Sequence, residues 1–128
     1  MYEHVKTGCK HIPPSEQPLQ FQSRHFLNKP HILQYAKGRG LIMTMDSNAR
    51  SKMWHDVLTN KRGRLLEEFI IGNRIHIINE DFQLTTFEAN RGTSNMDLTI
   101  ADNKMVTMIK EWRCNEQESF SDHRKITF

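Results

Sequence analysis

The sequence predicts an α/β (α+β) domain organised around a buried sheet. Two observations carry this: short apolar runs that stop at polar clusters, as strands do, and stretches of helical period interleaved between them. A third is the lack of any internal repeat or low-complexity tract, which removes solenoids and arrays. At 128 residues the chain has the length of one domain rather than two.

Residues 1–40 hold all 4 prolines (Pro13, Pro14, Pro18 and Pro30) and only scattered apolar positions, so the segment up to Gln20 is expected to be irregular. One short helix is expected after it. Asn28 is its N-cap, Pro30 lies in its first turn, Ile32, Leu33 and Ala36 share a face, and Gly38 stops it. Leu41-Ile42-Met43-Thr44-Met45 is an apolar run closed by Asp46-Ser47-Asn48, the pattern of a buried strand. Arg64 to Ile71 sets Leu65, Leu66, Phe69 and Ile70 on one helical stripe that ends at Gly72-Asn73. Ile75-His76-Ile77-Ile78 reads as a strand, with His76 half-buried and Asn79-Glu80-Asp81 as its exit. Thr85-Thr86-Phe87-Glu88 is β-prone, and Asn90-Arg91-Gly92-Thr93 is a loop. Asp97-Leu98-Thr99-Ile100-Ala101 is a further strand, and Asn103 to Ile109 a helix with Met105, Met108 and Ile109 inward. Glu111-Trp112-Arg113-Cys114 and Lys125-Ile126-Thr127-Phe128 complete the strands, and Trp54 and Trp112 are expected in the core.

Composition narrows the function. No run approaches the roughly 18 apolar residues of a membrane helix, and Met1-Tyr2-Glu3-His4 starts no secretory signal. Cys9 and Cys114 lie far apart without a C-x-x-C pair, which points to a reducing compartment and away from a disulfide framework or a cysteine zinc site. The net charge is +3, with pI 9.0. Residues 1–40 carry 6 Lys/Arg against 2 Asp/Glu, whereas residues 41–128 carry 12 against 13, so the basic excess sits in the first third. Charge alone therefore gives only slight support for nucleic-acid binding. G-x-G-x-x-G, Walker A, G-x-S-x-G and H-E-x-x-H motifs are all absent.

Three polar clusters stand at the ends of apolar runs, where a rigid sheet presents side chains to solvent. In the first, Asp46 and Asn48 are two apart and in extended geometry point the same way. The Asp can take a proton or bind a metal, and the Asn amide can hold it or donate to an anionic oxygen. The same D-x-N is also the composition of a plain turn. In the second, Ser94 to Asp97, the carboxylate of Asp97 opens an apolar strand, where it either needs a partner such as a histidine Nδ1 or caps a turn. The third, Ser121-Asp122-His123, puts a hard oxygen ligand suited to Mg²⁺ beside an imidazole able to stabilise or protonate a phosphoryl oxygen, or is a solvated loop.

Order makes these clusters specific. Asp46-Ser47-Asn48-Ala49-Arg50-Ser51 with Trp54 is followed by Arg62-Gly63-Arg64-Leu65-Leu66-Glu67-Glu68-Phe69 and by Thr85-Thr86-Phe87. Then come Arg91-Gly92-Thr93-Ser94-Asn95-Met96-Asp97-Leu98-Thr99, Trp112 and Ser121-Asp122-His123. In this order they resemble the endonuclease/exonuclease/phosphatase superfamily, in particular the apurinic-like endonuclease domain of non-LTR retrotransposons. That family's motifs read G-D-F-N-A-x-S-x-x-W and R-G-x-x-L-x-x-F. The resemblance covers Leu41 to Phe128, and it implies the C-terminal half of a four-layer αββα sandwich, one mixed sheet with flanking helices. Residues 1–40 are then an irregular N-terminal segment with one short helix.

The resemblance also implies an activity: Mg²⁺-assisted hydrolysis of a DNA phosphodiester (Mn²⁺ serving in its place), nicking a target so that a downstream reverse transcriptase can prime. Asp46 matches the Asp that orients or deprotonates the attacking water, and Asn48 the Asn that holds it and contacts phosphate. Thr86 matches a Thr near the target strand. Asp97 matches the Asp that fixes the imidazole, here His123. Asp122 matches a carboxylate near the metal, and Ser121 a supporting hydroxyl. The resemblance implies an intracellular place, and the nucleus if the chain acts on DNA, although no basic import cluster is visible.

Two departures stand out. Met45 and Ser47 replace the Gly and the aromatic or aliphatic residue of G-D-x-N, and Met45 is expected to crowd the site or shift the strand. No residue before Leu41 matches the family's principal metal-binding Glu, since Glu3 and Glu16 end no apolar strand. The chain, which stops within its last strand, is therefore expected to be a truncated piece with weak metal binding and little activity alone. Three other readings remain open: an inert relic, a nucleic-acid-binding module using the basic first third, and a phosphatase branch of the same superfamily. Trp54 and Arg62-Gly63-Arg64 favour the retrotransposon branch.

Overall fold

The computed structural model describes residues 2–3, 19–22, 32–36, 38–81, 84–116 and 121–128. In chain order the elements are β1 (Tyr2–Glu3), β2 (Leu19–Gln22), α1 (Ile32–Tyr35), β3 (Leu41–Asp46), α2 (Lys61–Gly72), β4 (His76–Ile77), β5 (Phe87–Ala89), β6 (Gly92–Ser94), β7 (Asp97–Ala101), α3 (Asn103–Val106), β8 (Arg113–Asn115) and β9 (Lys125–Thr127). A 3-10 turn occupies Lys52–Trp54.

The unbroken apolar run of β3 has to be covered on both faces, and it takes an interior place in the principal sheet, whose order is β2-β3-β7-β4. The sheet is mixed. β2 runs parallel to β3, while β3 and β4 each pair antiparallel with β7. On one face, Leu41, Met43 and Met45 of β3 and Leu98 and Ile100 of β7 pack with Leu66 and Ile70 of α2 and with Trp54. On the other, Ile42 and Ala101 pack with Met105 of α3, against Ile109, Ile78 and Phe128. Beyond that face lies a second sheet, β1-β9-β8, with β9 antiparallel to β8 and parallel to β1. Trp112 is buried between the sheets and donates its indole N–H to Thr99 Oγ1 at 3.0 Å. β5 and β6 form a separate hairpin.

The mixed sheet is the one expected, but its membership differs. β8 and β9 leave it for the second sheet. The first third, read as irregular apart from one helix, supplies β1 and β2. Leu19-Gln20-Phe21-Gln22 does alternate apolar and polar, but two periods beside three prolines are too short to stand out, which is why this strand escapes detection. The expected cap at Asn28 and Pro30 lies outside the described residues, while Gly38 does adopt the left-handed conformation (φ 80°) that ends α1.

Helix α2 starts earlier than its apolar stripe because Asn60 caps it, its side chain accepting from Gly63 N at 2.7 Å. Leu66 and Ile70 face the core, but Leu65 is 46% exposed, one step round from the inward face. α3 stops at Val106, so Met108 (63% exposed) turns outward while Met105 stays buried. His76 is exposed, not half-buried, and its Nε2 meets Asn103 Oδ1. β5 begins two residues later than the β-prone run, because Thr85 and Thr86 are engaged in side-chain and loop contacts.

Candidate active site

The two interior strands of the principal sheet end together. Asp46, the last residue of β3, is the register partner of Asp97, the first of β7. The antiparallel pairing thus sets two carboxylate-bearing residues side by side at the strand ends in the middle of the sheet. Asp97 is 1% exposed, and a carboxylate so buried needs its oxygens met. His123 meets them: Nδ1 lies 3.0 Å from Asp97 Oδ1 and 2.8 Å from Oδ2. A ring nitrogen facing a carboxylate carries the proton, so Nδ1–H donates and Nε2 is left as the outer nitrogen. Nε2 is 3.7 Å from Asp46 Oδ2. Asp46, Asp97 and His123 each place a ligand atom within 4.8 Å of the others.

The strand geometry is reinforced by side chains that act as backbone. Asn79, 6% exposed, extends β4 by pairing with β7: its Nδ2 donates to Asp97 O at 2.9 Å and its Oδ1 accepts from Thr99 N at 2.7 Å. Thr86 Oγ1 accepts from Asp97 N at 3.1 Å and approaches Ser94 O at 3.5 Å. The turn carrying His123 is clamped to β5, with Glu88 N donating to Asp122 O at 2.8 Å and Arg124 N to Thr86 O at 2.7 Å. Phe87 sets its ring edge-on to the imidazole, centroids 4.9 Å apart at 64°. The Arg124 guanidinium is held by Thr85 O at 3.2 Å and by the Glu88 carboxylate.

Of the residues singled out from the sequence, the structure brings Asp46, Asp97 and His123 into one group. Asn48 is next to it, exposed, in a left-handed conformation (φ 48°) with its N–H directed at Asp46 Oδ1 at 3.4 Å. Ser121 and Asp122 flank His123 at the surface, and Ser121 Oγ accepts from His123 N at 3.2 Å. Asp122 is not one of the three grouped ligands. Thr86, expected at the substrate, is 1% exposed with its hydroxyl engaged beneath Asp97. Met45 does not crowd the site. Strand alternation turns it to the opposite face from Asp46, into the core against α2. Ser47 is buried, its hydroxyl donating to Met96 O at 2.7 Å. The roles of Asn79, Asn95 and Asp56 were missed. Each has at least one contact to the site that is distant in sequence, Asn79 with Asp97 and Asp56 with Asn95, and an Asn or Asp in a loop carries no local mark of that.

Two titratable groups near the site are shifted. Burial works to raise Asp56, but the hydrogen bond from Arg50, the N–H groups of Asn95 and Leu58, and the Arg50 charge together hold it below the usual carboxylate range. Burial pushes the Cys114 thiol up to about 11, with Asp97 adding to the rise and Arg124 opposing it.

A helix-covered mixed sheet, a second sheet behind it, and an Asp-bound histidine at the strand ends give the fold of the endonuclease/exonuclease/phosphatase class. The solved endonuclease domain of TRAS1, a telomere-specific non-LTR retrotransposon, superposes with a TM-score of 0.61 at 33% identity, over 66% of this chain and 38% of that one. The endonuclease-reverse transcriptase family matches residues 12–127, and the chain belongs to that family. It is 35% identical over 129 residues, 93% of its length, to a 115 kDa protein in type-1 retrotransposable element R1DM of Drosophila melanogaster. It is 33% identical over 94 residues, 67% of its length, to a retrovirus-related Pol polyprotein from type-1 retrotransposable element R1 of Bradysia coprophila. It spans only 12% and 9% of the length of these two relatives.

Proposed function

We propose that this chain carries the acid–base face of an Mg²⁺-dependent DNA endonuclease that nicks its target by phosphodiester hydrolysis, within a retrotransposon reading frame that also encodes a reverse transcriptase. The observation that best supports this is the Asp97–His123–Asp46 arrangement at two adjacent strand ends. With Nδ1 taken by Asp97, the Nε2 side of His123 is the one that faces a phosphoryl oxygen gathering charge, to which it donates in the imidazolium form. Asp46, its side chain 25% exposed, orients the attacking water and takes its proton. Asn48 supports Asp46 and offers its amide to the phosphate, and Ser121 steadies the His123 turn. Thr86 acts from below, by fixing Asp97.

Carboxylate oxygens are hard ligands that suit Mg²⁺ or Mn²⁺. Asp97 is taken by His123, so Asp46 and the exposed Asp122 are the groups proposed to hold the ion. When bound, it supplies positive charge opposite the charge developing on phosphate. The chain spans 38% of the TRAS1 endonuclease it matches, so the proposal includes slow or absent nicking by the chain alone.

The test uses purified chain with Mg²⁺ and supercoiled plasmid. The thermal transition is expected to rise with Mg²⁺, and Asp46→Asn to abolish the rise. A transition unmoved by Mg²⁺ or Mn²⁺, together with no nicking, overturns the metal-dependent reading. Robust nicking that disappears in His123→Ala or Asp122→Ala retains the chemistry and removes the claim of inactivity alone.

A further inference from the structure

We infer that the Arg50–Asp56 ion pair is a positioning device that ties the Asp46 strand end to the Asp97–His123 dyad, a role that rests on the active-site reading above. Neither residue belongs to the Asp46, Asp97 and His123 cluster. Arg50 follows Asn48 by two residues, so it moves with the loop that leaves β3. Its Nε and Nη2 meet Asp56 Oδ1 at 2.9 and 2.8 Å. The other oxygen of the same carboxylate, Oδ2, accepts from Asn95 N at 2.8 Å. Asn95 precedes Asp97 by two residues.

From Asn95 the connection divides. Its Oδ1 accepts from Thr86 N at 3.1 Å, and its Nδ2 donates to His55 O at 2.9 Å. Thr86 then reaches both halves of the dyad: its hydroxyl accepts from Asp97 N, and its carbonyl accepts from Arg124 N, the residue after His123. One carboxylate, with 1% of its side chain exposed, therefore sits between the segment carrying Asp46 and Asn48 and the residue that sets Asp97 and His123.

Net stability is a weak reason to place a carboxylate there, because a buried ion pair seldom outperforms apolar packing of the same volume. What the carboxylate offers that an apolar group cannot is two acceptors aimed in different directions. Asp56 uses them on two segments whose relative placement decides the 3.7 Å between His123 Nε2 and Asp46.

The experiment reads the imidazole Nδ1–H proton of His123 in ¹⁵N-labelled full chain. An N–H donated to a carboxylate resonates far downfield and exchanges slowly with water. Asp56→Asn and Arg50→Ala are expected to move that resonance upfield or erase it, with the folded circular dichroism and cooperative melting retained. Arg50→Lys, which keeps the charge, should recover part of it. Arg113→Ala, which breaks the exposed Arg113–Glu111 pair, should leave it in place. An unshifted resonance in folded Asp56→Asn overturns the inference. Should that variant not fold, Arg50→Gln, at a partly exposed side chain, decides by the same criterion. A parent chain that lacks the resonance also overturns it, since there is then no fixed dyad to position. The resonance reports geometry rather than hydrolysis. Failure of Mg²⁺ binding with the coupling intact would therefore reject the nuclease reading alone.

Discussion

Asp97 shows what burial demands of a single side chain. Its carboxylate is met by His123, its N–H by Thr86 and its carbonyl by Asn79, so each polar group is engaged within the protein. Asp56 is held in the same manner, and the consequence can be measured. Its folded-state pKa lies below the ordinary 3.8, so its contribution is present above that value and is lost as pH falls through the lower folded value. Melting curves should show the chain losing stability below about pH 4, with part of that loss missing in Asp56→Asn. At neutral pH the same variant should be less stable by about 3 kcal/mol, because it leaves Arg50 unmatched. An unchanged neutral melt would contradict the pairing. At this scale the sequence revealed Asp46, Asp97 and His123, because each stands at the end of an apolar run. Asn79, Asn95 and Asp56 stayed hidden, because the Asn79–Asp97 and Asp56–Asn95 contacts that tie them to the site join residues 18 and 39 apart.

Helix α2 explains the Arg62-Gly63 motif in physical terms. Asn60 Oδ1 caps the helix at Gly63 and also accepts from Arg50 N at 3.1 Å, while Asn60 N donates to Arg50 O at 3.0 Å. A Cβ on Gly63 would stand 1.9 Å from Arg50 O. The glycine is required by this close approach between the helix and the loop that follows Asn48. Ser51, fully buried, meets Glu67 of the same helix, and Trp54 donates its indole N–H to Ala49 O at 3.3 Å. Residues that read from sequence as flanking the chemistry therefore fasten α2 to the site loop. Gly63→Ala should cost about 1–3 kcal/mol in thermal or denaturant unfolding, since backbone must shift to admit the methyl group. A variant as stable as the parent would mean that the approach is looser than 1.9 Å implies. β3 and β7 were legible in the sequence because both are near-continuous apolar runs. Leu65 and Met108 were misplaced because apolar character alone does not say where a helix starts or stops.

Across the whole molecule, strand β2 is the part least visible in sequence, yet it completes the principal sheet. It pairs in parallel with Leu41 to Thr44. Removing residues 1–22 should uncover that edge of β3 and convert a cooperative melt into a broad one, with aggregation detectable by light scattering. A deletion variant that stays monomeric and melts sharply would show residues 23–128 to be self-sufficient. The pairing of Asp46 with Asp97 has one more consequence, for the order in which the chain takes shape during synthesis. Closing that rung joins segments about 50 residues apart, so it forms slowly and only after both strands have left the ribosome. His123 emerges later still, a further 26 residues along. Until then, docking the first residue of β7 would bury a carboxylate without its imidazole, so that end of the sheet is expected to close last. On this argument the histidine would latch the fold as well as serve its site, and His123→Ala should slow the final closure of the sheet in refolding kinetics.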